Sequence, residues 1–206
     1  MNYINWKTEF KNIDSSDTGK IFHALSEKYI KLDGNDAMLA ALGRTDFYIA
    51  PASTRFHLSR EGGLCEHSLN VFSELTRLLS VYDKDETISE SSAAICGLYH
   101  DVCKINYYDV STRNVKNDKT GAWEKQPFYT VNDKLPMGHG EKSMYMVMRC
   151  MHLSPEEAMA IRWHMGGYDE AVKGGSYAQS AAYDKYPLAL LLHLADMAAT
   201  HMSEVE

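Results

Sequence analysis

Several segments of this chain place a histidine or an aspartate among residues spaced for burial in a helix. From about Leu64 to Val81, apolar residues recur every three or four positions, and His67 falls in that stripe. Asp196 shares a predicted helical face with Leu188 and Leu192. Burying an imidazole or carboxylate without a partner is costly. The chain must therefore fold so that these side chains meet a metal, a charge or hydrogen-bond donors inside a helical core.

The most informative of these residues form the adjacent pair His100-Asp101, which ends a second helix predicted from about Glu86 to Val102. A single buried histidine is more often a hydrogen-bonded core residue than a metal ligand. Several such residues at the ends of helices in one small domain favour a metal site instead. The candidate metal ligands are His67, His100, Asp101, His139, His164 and Asp196. Mixed imidazole and carboxylate ligands suit Mn, Fe, Co, Ni, Zn or Mg, so the sequence leaves the metal open.

The pattern along the chain predicts an all-α fold in a single domain, residues 1–206, with an N-terminal helical extension over residues 1–50. Helicity resumes at about 140–151 and again after Ser154-Pro155, where a Ser cap and a Pro at the first helical position are a strong start signal. A polar loop is expected next, followed by a final apolar helix at about 187–202. The predicted architecture is a helical bundle.

Residues 106–137 interrupt the helical pattern. Turn-forming residues at 117–121 precede a stretch from Trp123 to Val131 that favours extended structure, so we predict a small hairpin-like insertion. Its aromatic residues either form a lid that stacks a nucleobase or make a small core under the hairpin. These aromatics are Tyr107, Tyr108, Trp123, Phe128 and Tyr129.

Composition limits the classes of partner. The formal net charge of -7 makes a groove for duplex nucleic acid unlikely, whereas a small phosphorylated substrate needs only a local positive pocket. No apolar run approaches the roughly 20 residues that cross a bilayer, and nothing resembles a secretory segment. Four cysteines without zinc-ribbon spacing are expected to be reduced thiols. We therefore expect a cytoplasmic protein without a membrane span; the oligomeric state is open.

The order of these motifs resembles the HD-domain phosphohydrolase superfamily, whose signature is a His, a His-Asp pair and an Asp on separate helices. The resemblance spans about residues 56–201 and includes similarity to the HD domain of bacterial 3′→5′ exoribonucleases. Five ordered pieces are more specific than any one of them. They are Gly62-Gly63-Leu64-Cys65-Glu66-His67-Ser68-Leu69, Leu98-Tyr99-His100-Asp101-Val102-Cys103-Lys104, Gly138-His139-Gly140-Glu141-Lys142-Ser143, Trp163-His164-Met165-Gly166-Gly167 and Leu191-Leu192-His193-Leu194-Ala195-Asp196.

This resemblance implies an HD-domain helical bundle that binds one or two divalent ions. His67, His100, Asp101 and Asp196 would hold the first ion. Two additional residues, His139 and His164, look like the added ligands of the two-metal branch, with Asp101 bridging the ions. Metal-activated water would then attack phosphorus without a protein nucleophile. By the same resemblance, Asp101 and Lys104 are the predicted catalytic residues, since Lys104 stands where many members of the superfamily carry a lysine that can bind phosphate.

Other candidates for substrate binding carry weaker signals. Lys104 can equally be a solvated cation at a helix end, where it favours the helix dipole. Glu141 and Lys142 either orient a ligand or contact substrate, or else form an exposed pair on a first helical turn. Three residues of the loop before His67 can also collect a phosphate, although an ordinary surface role is favoured for each. These are Arg55, His57 and Arg60.

We therefore expect a metal-dependent phosphohydrolase, either a phosphomonoesterase or a phosphodiesterase, acting on a nucleotide or a similar small phosphoester. Two alternatives stay open. One is a nucleotide-sensing HD protein that binds without turnover, and the other is a di-iron oxygenase of HD type, since histidine-rich ligation also suits iron. Iron content with oxygen uptake would favour the oxygenase, whereas metal-dependent phosphate release would favour the hydrolase.

Overall fold

The computed structural model describes residues 1–205, which are mostly helical and carry one two-stranded antiparallel hairpin. The predicted helical class and the hairpin are both confirmed. The helices are α1 (Trp6–Glu9), α2 (Thr18–Tyr29), α3 (Asn35–Leu42), α4 (Gly63–Tyr82), α5 (Glu90–Tyr99), α6 (His139–Met148), α7 (Pro155–Trp163), α8 (Glu170–Lys173), α9 (Ala178–Lys185) and α10 (Pro187–Ala198). Short 3-10 turns lie at Val102–Lys104 and Gly166–Tyr168, and a π-helical turn lies at Ala199–Ser203.

The long helix α4 is central to the core. It packs against α5, α10 and α2, and its buried residues include Leu69, Phe72 and Leu75. The residues just after α5 and α7, the C-terminal part of α10 and the first residue of α6 lie near the second turn of α4. The polar candidates named above therefore converge at one end of this core.

A glycine sets the close approach of α5 to α4. A Cβ built on Gly97 would lie 2.7 Å from Phe72 Cα, closer than real Cβ contacts permit. Only the absence of a side chain at Gly97 lets the two helix backbones approach this closely. The close crossing also brings the rings of His67 and His100 together, with their centroids 5.2 Å apart.

Strands β1 (Tyr108–Lys116) and β2 (Trp123–Val131) pair along their full length, from Tyr108 opposite Val131 to Lys116 opposite Trp123. The Asn117 side chain accepts hydrogen bonds from the backbone N–H groups of residues 119 and 120, which closes the turn. Trp123 is 71% exposed at the tip, so it is not part of a small core under the hairpin. The stacking role of the hairpin aromatics stays a prediction.

Several elements differ from the prediction, including the helix ends at Tyr99 and Met148, which come about three residues earlier than predicted. The second helix begins at Glu90 rather than Glu86, because Asp83 accepts hydrogen bonds from the backbone of residues 87 and 88 and holds that stretch as a turn. The segment predicted as a polar loop contains α8 and α9, although α9 has no capping side chain and buries only Ala182. The last α-helix ends at Ala198 and continues as a π-helical turn.

The described residues also bear on the predicted cysteine state and on the predicted lack of a membrane span. All four cysteines (Cys65, Cys96, Cys103 and Cys150) are free thiols in the described residues. No helix within residues 1–205 has the length and apolar character needed to cross a membrane.

Candidate metal centre

Six side chains that are distant in sequence meet in one mostly buried cluster. His67 lies in the second turn of α4, and His100 and Asp101 follow directly after α5. The remaining three come from other elements: His139 begins α6, His164 follows α7 and Asp196 lies near the end of α10. We call this set the His/Asp cluster. His100 and His164 are fully buried, and His67 and Asp101 nearly so, whereas His139 and Asp196 are partly exposed.

Asp101 lies between two pairs of histidines. Its Oδ2 atom is 3.6 Å from His67 Nε2 and 3.7 Å from His100 Nε2. Its Oδ1 atom is 2.7 Å from His139 Nε2 and 3.5 Å from His164 Nε2. One carboxylate thus presents a different oxygen to each histidine pair.

Asp196 lies beside the His67-His100 pair. Its Oδ1 atom is 3.2 Å from His67 Nε2, and its carboxylate also lies within 4.8 Å of ligand atoms of His100 and His164. The Nε2 atoms of His67 and His100 are 3.4 Å apart. Several ligand atoms therefore point at the same small volume.

Backbone carbonyls set the tautomers of two of the histidines. The Nδ1–H of His100 donates to the Gly97 carbonyl at 3.0 Å, and the Nδ1–H of His164 donates to the Ile161 carbonyl at 2.7 Å. With the proton held on Nδ1, the lone pair on Nε2 faces the cluster. This is the form in which imidazole binds a metal.

The donor set fits a divalent metal. His164 Nε2 is buried and has no hydrogen-bond partner among residues 1–205. Leaving such an acceptor unpaired is costly, whereas coordination to an ion would satisfy it. Three triads of ligand atoms from the cluster lie within 4.8 Å of one another: His67-His100-Asp101, His100-His164-Asp196 and Asp101-His139-His164. The described residues can therefore hold a metal ion.

The electrostatics of the cluster favour ionised carboxylates. Burial opposes ionisation of Asp101, but Lys104 and the neighbouring imidazoles hold its pKa well below its usual value. Burial likewise opposes ionisation of Asp196, but its hydrogen bond to His67 and the nearby imidazoles of His67, His100 and His164 together hold its pKa well below the usual value. Burial lowers the pKa of His100 to about 3, so its imidazole is neutral at pH 7. Two anionic carboxylates and a neutral imidazole are thus available as ligands.

Lys104 is bound to the cluster rather than solvated. Its Nζ lies 2.6 Å from Asp101 Oδ2, and its side chain is only 13% exposed. The interpretation of Lys104 as a solvated helix-end cation is therefore wrong, because the 3-10 turn after Asp101 folds the lysine back onto that carboxylate. Its predicted contact with phosphate is not tested by this geometry.

The loop residues proposed for substrate binding lie outside the cluster. Arg60 pairs with Glu66, and the Arg55 guanidinium lies over the Phe56 ring with its centroid 5.1 Å away. The ring of His57 lies beside the cluster, with its centroid 4.8 Å from that of His67.

Glu141 and Lys142 have partners of their own. Glu141 pairs with Arg162 of α7, while Lys142 is buried and pairs with Asp133 at 2.5 Å. The alternative of an exposed pair on the first turn of α6 is therefore wrong for Lys142. A cleft of about 270 Å³ lies beside these residues and is lined by His139, Lys142 and Tyr107, among others. The cleft gives the cluster an opening towards solvent at His139.

Sequence reasoning missed three residues that contact the ligands. Cys103 Sγ is 3.4 Å from His139 Nε2, and His193 Nδ1 donates to the His164 carbonyl at 2.7 Å. Glu204 accepts a hydrogen bond from His67 Nδ1 at 3.0 Å. The only sequence signal for Glu204 is its position about two helical turns after Asp196.

Comparison of this chain with protein-family models, with curated proteins and with solved structures gives no significant match. The resemblance to the HD-domain superfamily therefore rests only on the motifs quoted above. The helical fold and the buried His/Asp cluster are compatible with an HD-like fold.

Proposed function

We propose that this protein is a metal-dependent phosphohydrolase of HD type that acts on a nucleotide or another small phosphoester. The observation that carries the proposal is the position of Asp101, whose two carboxylate oxygens face two different pairs of histidines. In this proposal, His67, His100, Asp101 and Asp196 hold one ion. Asp101, His139 and His164 hold the second.

A bound divalent ion would supply Lewis acidity, both to activate water for attack on phosphorus and to neutralise charge on the phosphoryl oxygens. The protein supplies an additional cation close by. Lys104 uses one of its three N–H donors on Asp101, which leaves donors for a phosphoryl oxygen. A phosphate group near Asp101 would thus meet a positive charge that the fold already holds in place.

The surroundings of the cluster favour a small substrate. The cleft at His139 has a volume of about 270 Å³, near the lower end of the size range of small-molecule sites. Its two lysines, Lys142 and Lys173, are matched by three acidic residues in the lining, so the positive charge that lies at the cluster itself is that of Lys104. A long polyanion would be repelled by the rest of the surface, whereas one phosphorylated molecule needs only this local charge.

Metal-dependent turnover tests the proposal. The protein is stripped with chelator and supplied in turn with Mn²⁺, Fe²⁺, Co²⁺, Ni²⁺, Zn²⁺ and Mg²⁺, using p-nitrophenyl phosphate and bis-p-nitrophenyl phosphate as probes. We expect hydrolysis of at least one probe with one or more of these ions and none in the stripped protein. Binding of nucleotides with no hydrolysis of either probe or of those nucleotides would support a sensor instead.

The same donor set is chemically acceptable to two irons, so the assay needs a matched oxygen measurement. Iron-loaded protein is placed in an oxygen electrode while phosphate release is followed in a parallel sample. The hydrolase proposal predicts phosphate release without oxygen uptake coupled to substrate. Substrate-coupled oxygen uptake without phosphate release would contradict it.

A further inference from the structure

The second ring nitrogen of His67 is held by a carboxylate on the side away from the His/Asp cluster. His67 Nδ1 lies 3.0 Å from Glu204 Oε1 and 3.2 Å from Oε2. Both side chains are 1% exposed. The opposite nitrogen, Nε2, is the atom that faces Asp196 and Asp101. Among the described residues of the cluster, Glu204 therefore contacts the ring of His67 alone.

Glu204 is itself held in place by a buried chain of hydrogen bonds. The Asn70 side-chain N–H donates to Glu204 Oε1 at 2.9 Å. The Trp6 indole N–H donates to Asn70 Oδ1 at 2.8 Å, which fixes the orientation of the Asn70 amide. The chain of contacts thus runs from α1 through α4 to Glu204 and ends at a predicted metal ligand.

The π-helical turn Ala199–Ser203 delivers Glu204 to this position. The backbone N–H of Glu204 donates to the Ala199 carbonyl at 3.0 Å, which is the wide i to i+5 spacing of a π-helix. Such turns are rare and occur frequently at functional sites. The turn carries the chain from the end of α10 back over α4, beside His67.

Burying a carboxylate costs more free energy than burying a neutral acceptor, so orienting the ring does not by itself explain the presence of Glu204. His100 and His164 are oriented by neutral backbone carbonyls, which cost far less to bury than a charge. Both oxygens of the Glu204 carboxylate lie within 3.2 Å of His67 Nδ1, and the Asn70 side chain donates to one of them, so a carboxylate group is fixed beside the ring. A charged acceptor on one ring nitrogen makes the other ring nitrogen more basic, and therefore a stronger metal ligand, than a neutral carbonyl does.

We propose that Glu204 is a positioning residue for metal binding, acting through His67, with Asn70 holding the Glu204 carboxylate in place. The inference rests on the proposed function only in requiring that the cluster binds a metal. Glu204 holds the His67 proton on Nδ1, turns Nε2 towards Asp196 and strengthens Nε2 as a ligand. Glu204 is not placed to be a ligand of the same ion, because its oxygens lie on the far side of the ring.

Metal affinity of Glu204→Gln tests this inference without any activity assay. The amide keeps the size of the side chain and one acceptor oxygen but removes the charge. Titration of chelator-stripped protein with Mn²⁺ in a calorimeter is expected to show an affinity about 10- to 100-fold weaker than that of the wild type. The visible absorption spectrum of the Co²⁺-loaded protein is expected to change as well, because the donor strength of His67 changes.

Glu74→Gln is the matched control. Ser203 Oγ donates to Glu74 Oε1 at 2.9 Å, so this carboxylate also holds the C-terminal segment but does not touch His67. We expect its Mn²⁺ affinity and Co²⁺ spectrum to equal those of the wild type. If Glu204→Gln does not fold, as judged by circular dichroism, Asn70→Ala replaces it, and we expect a weakening in the same direction.

The outcomes separate this inference from the proposed function. Unchanged Mn²⁺ affinity and an unchanged Co²⁺ spectrum in Glu204→Gln, with a wild type that binds metal, would overturn the role of Glu204 and leave the phosphohydrolase proposal standing. Equal weakening in Glu74→Gln would also overturn it, since docking of the C-terminal segment alone would then explain the effect. A wild type that binds none of the ions would contradict both proposals.

Discussion

Replacing Asp101 with asparagine is expected to remove hydrolysis of the phosphoester probes almost completely, by about a thousandfold or more in kcat/KM. Asparagine matches aspartate in size but carries no charge and has a single acceptor oxygen. In Asp101, one carboxylate oxygen faces the His67-His100 pair and the other faces the His139-His164 pair. The single oxygen of asparagine cannot face both pairs. Loss of several kcal/mol of metal-derived stabilisation of the transition state corresponds to a factor of this size.

The matched control is Asp118→Asn in the turn of the hairpin, which removes one negative charge from an exposed position. Its kcat/KM and metal content are expected to equal those of the wild type. Circular dichroism of the Asp101→Asn protein checks that the fold persists, since Lys104 loses its partner. An Asp101→Asn protein that keeps wild-type turnover would contradict the assignment of Asp101 as the shared ligand.

Replacing Gly140 with alanine is expected to destabilise the protein, although alanine is ordinarily the better residue in a helix by about 1 kcal/mol. A Cβ at this position would lie 2.0 Å from the Arg162 carbonyl oxygen and 3.1 Å from that of Ile161. These are backbone atoms, so α6 and α7 must separate to relieve the overlap. Overpacking of this kind costs about 1–3 kcal/mol, and we expect the net free energy of unfolding to fall in a urea titration.

The same substitution should also weaken metal binding. His139 precedes Gly140 on α6, and His164 follows α7, so separating the two helices moves both histidines relative to Asp101. Gly167→Ala is the control, because a Cβ at Gly167 would have no neighbour within 4 Å among residues 1–205. If Gly140→Ala is as stable as Gly167→Ala and binds metal as tightly as the wild type, the close helix crossing does not position these ligands.

Local signals in the sequence were sufficient where the controlling contacts are local. Ser154 and Pro155 predicted the start of α7, and the structure places Ser154 as the cap, with Glu157 completing a capping box. Helix α9 could not be predicted because these local signals are lacking there. It has no capping side chain and only Ala182 is buried, so neither caps nor apolar periodicity marked it.

Residue type and apolar context were enough to identify the candidate ligands, but their spatial arrangement could not be predicted from the sequence. Which oxygen of Asp101 faces which histidine depends on the crossing of four helices and on close contacts at Gly97 and Gly140. Glu204 was missed because its partner, His67, is 137 residues away and a π-helical turn aligns the two. A periodicity of 3.6 residues does not anticipate that turn.

Metal content per chain is the measurement that tests the central claim most directly. Elemental analysis is made on the wild type and on His139→Ala, both purified without chelator or nickel resin. The account predicts two ions in the wild type and a fall towards one in the variant, because His139 lies 2.7 Å from Asp101 Oδ1 on the side away from His67. The same content in both proteins would contradict the two-ion arrangement, and no metal under any supplementation would contradict the metal centre itself.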